Sequence, residues 1–259
     1  MYAAEASTGV TAMLDNVTIS KLHDLKLKAM ARLLQDQQGN PSIGSLSFEE
    51  RLGLLVEAEW LSRRDGRTAR HIRQAGFRFS AVIEDISYQG KQGISKDDIH
   101  RLSSGGYIRK NQNVILTGPT GVGKTYIACA LGRTACLQGI GTRYMRVADL
   151  QLEMAAARYN GKYPALQKEL ARIPLLILDD LGIKQFTVDE SHDMLEVAEA
   201  RYQKGSTIFA GQLPSAKWHE LFPDPTLADA ILDRVVHNAY KFNITGETMR
   251  KTLAMRDFE

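Results

Sequence analysis

Hydrophobic positions recur along this chain with two different periods. Leu22, Leu25, Ala29, Met30, Leu33 and Leu34 share one face of a helix expected from Ser20, which Gly39-Asn40-Pro41 ends. Ser47-Phe48-Glu49-Glu50 has the spacing of a capping box and opens a second helix, with Leu52, Leu55, Val56 and Trp60 as its apolar face. Further on the period shortens. Asn113–Thr117, Leu175–Leu178 and Ser206–Ala210 are short apolar, β-prone runs, as in strands of a parallel sheet covered on both faces. Thr142–Val147 alternates like a strand and Tyr240–Ile244 reads as another. Helical patterns lie between them: Asp149–Leu170, interrupted at Gly161–Pro164, then Val188–Lys204 and Leu227–Asn238. The class is α/β. Residues 1–78 are expected to form a helical N-terminal domain whose first 17 residues fray. Residues 79–112 read as a connector and 113–259 as the main domain.

One loop gives this pattern a chemistry. Gly118-Pro119-Thr120-Gly121-Val122-Gly123-Lys124-Thr125 follows the first expected strand, and a helical run with Ile127, Ala128, Ala130 and Leu131 follows it. That is G-x-x-x-x-G-K-[ST] between strand and helix. Glycines let the backbone curl around an anion, and N–H groups at the helix start point at phosphate oxygens. Residues 118–126, ending at Tyr126, are therefore candidates for holding a nucleotide. Lys124 carries charge to the β- and γ-phosphates, and the Thr125 hydroxyl is suited to Mg²⁺. Tyr107 or Ile108, on the segment entering the first strand, is a further candidate for touching adenine, beside ordinary packing.

Asp179 and Asp180 end the buried run Leu175–Leu178, at the edge where open α/β sheets bind ligands. Asp179 suits orientation of Mg²⁺, and Asp180 suits acceptance of a proton from an attacking water. Aspartate is one methylene shorter than glutamate, so slow intrinsic hydrolysis is expected. Gln212, just past the Ser206–Ala210 run, is a candidate sensor of the γ-phosphate.

Charge adds a second theme. Residues 1–110 hold 16 Lys/Arg against 13 Asp/Glu, whereas residues 111–259 hold 17 of each, so the whole surplus of three lies upstream of the loop. Arg63, Arg64, Arg67, Arg70, Arg73 and Arg78 lie close together with Asp65 as the one acid among them. Such a field suits phosphate contacts, against the alternative of a solvated or acid-binding face. Gly66 argues against a continuous helix there. Arg158 and Lys162, interleaved with Tyr159 and Tyr163, form a weaker second basic site.

Composition excludes little else. At 44% hydrophobic and 24% charged, the chain is an ordinary soluble protein, expected in the cytoplasm. No apolar run nears the ~20 residues of a membrane span. Cys129 and Cys136, about 10 Å apart along a helix, suit burial rather than a disulfide. The six histidines show no metal spacing.

The assembled motifs resemble a known family. GPTGVGKT, LLILDDLG, a strand ending in GQLP, DPTLADAILDRVVHNA and GETMRK are similar to the AAA+ ATPases of the IstB-like transposition helpers, kin to bacterial helicase loaders of the DnaC type. LSFEERLGLLVEAEW resembles that family's N-terminal region, so the likeness runs from about Leu46 to Lys251. It implies a P-loop AAA+ core with a parallel sheet flanked by helices, a small C-terminal lid and a small helical N-terminal domain. It also implies ATP and Mg²⁺ as ligands, a homo-oligomer, double-stranded DNA and a cognate transposase as partners, and no membrane. By motif, Arg234 resembles the arginine finger offered to a neighbour's ATP, and Arg250 the second sensor on the lid. For each, a salt bridge is the alternative, Asp233 being close to Arg234 in sequence. Asp-Asp stands where many AAA+ members have Asp-Glu, and Gln212 where they have Asn, Ser or Thr. Three other functions compete with a DNA-remodelling helper: a helicase loader, a small-metabolite kinase, and a nucleotide-gated DNA-binding scaffold with little turnover.

Overall fold

The computed structural model describes residues 17–38, 43, 45–90 and 92–246. The expected frayed start up to residue 16, Gly39-Asn40-Pro41 and the segment carrying Arg250 lie outside the described residues. The chain divides into two compact units, Met1–Ala69 and Arg70–Glu259.

In the first unit the single helix expected from Ser20 is two. Residues 17–24 are helical, Lys26 turns the chain with a φ of 60°, and α1 spans Lys28–Gln38. A left-handed residue cannot continue a right-handed helix. α2 spans Phe48–Ala75 without a break, so Gly66 does not interrupt it. Its start is the expected capping box: Glu50 N–H donates to Ser47 Oγ and Ser47 N–H to Glu50 Oε2. Glu59 of α2, 9% exposed, accepts from the backbone N–H of Ala29 and Met30, and so caps the start of α1.

The second unit begins within α2 and contains the stretch expected as a connector. α3 (Lys96–Ser103) is opened by a Ser95/Asp98 capping box, and α4 (Gly106–Arg109) is one turn. Ala81, Ile86, Ile94, Ile99 and Leu102 are buried in the same cluster as the central strands. The elements that follow are β1 (Asn113–Thr117), α5 (Lys124–Leu137), β2 (Thr142–Arg146), α6 (Val147–Tyr159) and α7 (Tyr163–Arg172). Then come β3 (Leu175–Leu181), α8 (Val188–Arg201), β4 (Ser206–Gly211), α9 (Pro225–Val236) and β5 (Ala239–Asn243). The five strands are all parallel, in the order β2-β3-β4-β1-β5.

Strand alternation distributes the core to both faces. Val114, Leu116, Ile177 and Ile208 pack with α5, while Ile115, Leu176, Leu178 and Phe209 pack in a second cluster with α6, α8 and α9. All four residues of Leu175–Leu178 are fully buried, and truncating one such leucine to alanine costs about 2–5 kcal/mol. Trp218 is also core, 2% exposed, with its indole N–H donating to the Leu213 carbonyl. Cys129 and Cys136 are both buried free thiols.

Candidate nucleotide site

The glycine-rich loop leaves the C-terminal end of β1. Gly118, Gly121 and Gly123 take φ values of 141°, 90° and 98°. A Cβ at Gly118 would stand 1.9 Å from the Ile244 carbonyl oxygen, so only glycine fits. Gly123 caps α5, whose first-turn N–H groups have no partner within the helix and are available to an anion. Lys124, 8% exposed, donates from Nζ to the carbonyls of Gly118 and Pro119, both at 2.8 Å. Its ammonium therefore lies inside the curl of its own loop. Val122 is buried, Pro119 and Thr120 are exposed, and Thr125 and Tyr126 are half-buried. The Tyr126 hydroxyl accepts a 3.4 Å bond from Val82 N–H, and its ring lies 6.5 Å from that of Phe79. Tyr126 thus secures the preceding segment against α5.

The two carboxylates stand at the same edge of the sheet, on the second strand away. Thr117 of β1 and Leu181 of β3 both pair with Gly211 of β4, and Gln212 follows that residue, exposed. Between Leu178 and Leu181 the register of β3 against β4 slips by one residue, a β-bulge. Asp180 occupies it with a φ of 61°. Aspartate is among the few side chains that tolerate this left-handed conformation. The bulge sends the two neighbours into different surroundings. Asp179 is 1% exposed and accepts a 2.8 Å bond from Tyr144 Oη on β2. Asp180 is about one-third exposed, with Oδ2 3.5 Å from Arg78 Nη1. Burial, then the charge of Asp179, raise the Asp180 pKa, while Arg78, Arg146 and Lys124 pull it down. Neither Arg78 nor Tyr144 was legible as a partner of these acids, because each comes from another segment.

Thr125, Asp179 and Asp180 present hard oxygen donors. Among the described residues no group of three or more His, Cys, Asp or Glu could hold a metal alone. That set fits Mg²⁺, which is bound by one or two carboxylates together with substrate phosphates and water.

Other expected site residues lie elsewhere. Tyr107 and Ile108 are 3% and 7% exposed, and the Tyr107 carbonyl accepts from the hydroxyl of Ser206, the first residue of β4. They sit at the sheet edge opposite the loop and pack in the core, the alternative reading to an adenine contact. Arg234 is also at that opposite edge. Its neighbour Val235 accepts from Asn113, the first residue of β1. A strand of this length puts about 13 Å between that edge and the loop. Arg234 donates to Glu199 Oε1 (2.6 Å) and to the Ala230 carbonyl (2.7 Å), whereas Asp233 faces His237.

Of the basic residues, Arg63 bonds Glu59 at 2.8 Å, and Arg64 lies 4.9 Å over the Trp60 ring. Arg67, Arg70 and Arg73 are exposed on α2. Arg158 pairs with Asp193, which also accepts from Tyr163 Oη at 2.6 Å. Burial and Asp193 push the Tyr163 phenol up to about 12. Arg158, a residue of the weaker basic site, is thus engaged by an acid while staying about half exposed. Lys162 remains exposed.

Comparison with known proteins finds relatives over most of the chain. Residues 20–256 match the family described as IstB-like ATP binding protein. A Sinorhizobium fredii protein named as an insertion sequence ATP-binding protein, y4pL, is 41% identical over 239 residues, covering 92% of this chain and 98% of its own. A Pseudomonas fluorescens protein named for ATP binding in insertion sequence IS1162 is 42% identical over 205 residues, covering 79% of this chain and 89% of its own. Among solved structures, the DnaC helicase loader superposes with a TM-score of 0.52 at 18% identity, covering 64% of this chain and 98% of its own. That last likeness shows the fold alone. Among the described residues no helix is long and apolar enough to cross a membrane.

Proposed function

The chain belongs to the family of IstB-like ATP-binding proteins, and from that premise we propose that it is an Mg²⁺-dependent ATPase that assembles on duplex DNA and recruits a transposase. The observation that carries the reading is the convergence of the Lys124 loop, the Asp179–Asp180 bulge and Gln212 on one edge of a single parallel sheet.

Backbone N–H groups of the loop and the start of α5 hold the phosphates, and Lys124 neutralises their charge. Thr125 and Asp179 would hold Mg²⁺, which would supply further neutralisation of phosphate charge. Asp180 accepts a proton from water as the water oxygen bonds to the γ-phosphorus and the bond to ADP breaks. Burial and Asp179 make Asp180 a better proton acceptor than an ordinary aspartate. Gln212, exposed just past β4, reads the γ-phosphate.

Arg234 serves a neighbouring subunit's ATP, a reading supported by its place away from its own loop. An arginine supplied in trans is worth ~10³-fold in rate or more, about 4 kcal/mol. Hydrolysis then depends on assembly. Arg250, outside the described residues, would act as the second sensor that its motif implies. The exposed arginines of α2 contact DNA phosphates with little sequence preference and steep salt dependence. The assembly marks a target for the transposase, and hydrolysis dismantles it.

The test is particle mass with duplex DNA and a non-hydrolysable ATP analogue. Assembly that requires both, and is lost in Lys124→Ala and Arg234→Ala, is the expected result. A monomer indifferent to nucleotide and DNA defeats the reading.

A further inference from the structure

The contact between Arg78 and Asp180 belongs to neither the loop nor the strand motifs, and the chain goes to some length to make it. Gly76, with a φ of 68°, turns the chain just past α2. Phe77 then lies so close to α5 that a Cβ at Gly132 would stand 2.7 Å from its ring. Phe79 lies 6.5 Å from the Tyr126 ring, Val82 is bonded to Tyr126 Oη, and Ala75 and Ala81 are buried at either end. Arg78 is thus held between two aromatic anchors on the helix that starts with Lys124. Its guanidinium lies 5.7 Å over the Phe79 ring and reaches Asp180 Oδ2 at 3.5 Å. The target needs holding, because Asp180 occupies a bulge with a left-handed backbone and is about one-third exposed.

We propose that Arg78 is a positioning residue for hydrolysis: it orients the Asp180 carboxylate. The proposal rests on the reading of Asp180 as the proton acceptor. As an energy source the ion pair is small, since exposed pairs contribute little to stability. Its effect is on geometry, where a displacement of about 1 Å at a reacting group can cost ~10²-fold in rate. Arg78 is exposed, so its removal leaves the fold intact. Besides Asp180 it meets the Tyr144 hydroxyl, but it touches neither the loop nor its lysine, so nucleotide affinity stays as it is.

The experiment is single-turnover and steady-state ATP hydrolysis, with DNA present, for wild type, Arg78→Ala, Arg78→Lys, Asp180→Asn and the double variant Arg78→Ala/Asp180→Asn. Asparagine also tolerates the left-handed backbone, so Asp180→Asn removes the charge and keeps the bulge. The expected result has three parts. Arg78→Ala lowers kcat by about 10- to 100-fold with nucleotide Kd within about twofold. Arg78→Lys restores part of the loss. In the Asp180→Asn background, Arg78→Ala changes nothing further, as a residue acting through Asp180 requires. An unchanged or raised kcat in Arg78→Ala, or an equal loss in both backgrounds, overturns the proposal while hydrolysis by wild type stands. Absence of turnover in wild type itself, at any concentration and with DNA, sinks the ATPase reading and the role of Arg78 together.

Discussion

Tyr144 Oη donates to Asp179 Oδ2 across 2.8 Å, from β2 to the neighbouring β3. Burial and then Asp179 push the Tyr144 phenol well above its ordinary value, so it stays a donor throughout the neutral range. A buried carboxylate held this way presents its remaining lone pairs in a fixed direction. Groups supporting a metal-binding carboxylate from behind are commonly worth 10- to 100-fold in metal affinity. Tyr144→Phe is expected to weaken the apparent Mg²⁺ affinity of ATP hydrolysis by about tenfold. The check is a Mg²⁺ titration of turnover at saturating ATP, where an unchanged half-point refutes it.

Arg234 and Glu199 predict a complementation. Lys124→Ala and Arg234→Ala are each expected to be inactive alone. In an equal mixture, about a quarter of the sites join an intact loop to a neighbour's intact arginine, so turnover returns. Activity that stays absent in the mixture would place the arginine within its own subunit's chemistry or outside it altogether.

Glu59 joins α1 to α2 through Ala29, Met30 and Arg63. Burial opposes its charge, yet Arg63 and the two N–H groups outweigh that and hold its pKa below the ordinary glutamate value. A lowered folded pKa stabilises above the unfolded value, about 4.3, and that stability is lost as pH falls through the folded value. Glu59→Ala is expected to destabilise the helical unit by about 1–3 kcal/mol. Glu59→Gln should flatten the acid limb of the helical circular-dichroism signal between about pH 5 and 3; a limb identical to wild type argues against the assignment.

Two glycines in helices should respond in opposite directions. Gly66 of α2 has nothing within 4 Å of a built Cβ, so Gly66→Ala is expected to stabilise by about 0.5–1 kcal/mol. At Gly132 of α5 the Cβ would stand 2.7 Å from both Phe77 and Ile177, and Gly132→Ala is expected to cost about 1–3 kcal/mol. Thermal midpoints of the two variants decide, and shifts of the same sign would be inconsistent with the packing described.

Much of this arrangement is written locally. The five strands, the capping box at Ser47 and the loop from Gly118 to Thr125 follow from short-range pattern and appear where the sequence puts them. What escaped depends on partners distant in sequence. The bulge at Asp180 is a register shift against β4, which no property of LLILDD announces. Tyr107 in SGGYIRK reads as an adenine contact or as packing, and the cluster around β1 and α5 buries it. Arg234 has an acid beside it in sequence and takes a different one, because on a helix adjacent residues point about 100° apart. Lys26 carries no glycine or proline signal for the break it makes.

The absence of room at two glycines has a mechanical consequence. Cβ atoms at Gly93 and Gly118 would stand 1.8 Å from the Asn243 and 1.9 Å from the Ile244 carbonyl oxygens, so both backbones abut the same short stretch at the end of β5. The stretch Asn243-Ile244 is therefore packed backbone to backbone against the start of the phosphate loop. A displacement of Gly118 toward Ile244 would meet backbone rather than a yielding side chain, so these two segments shift together or not at all.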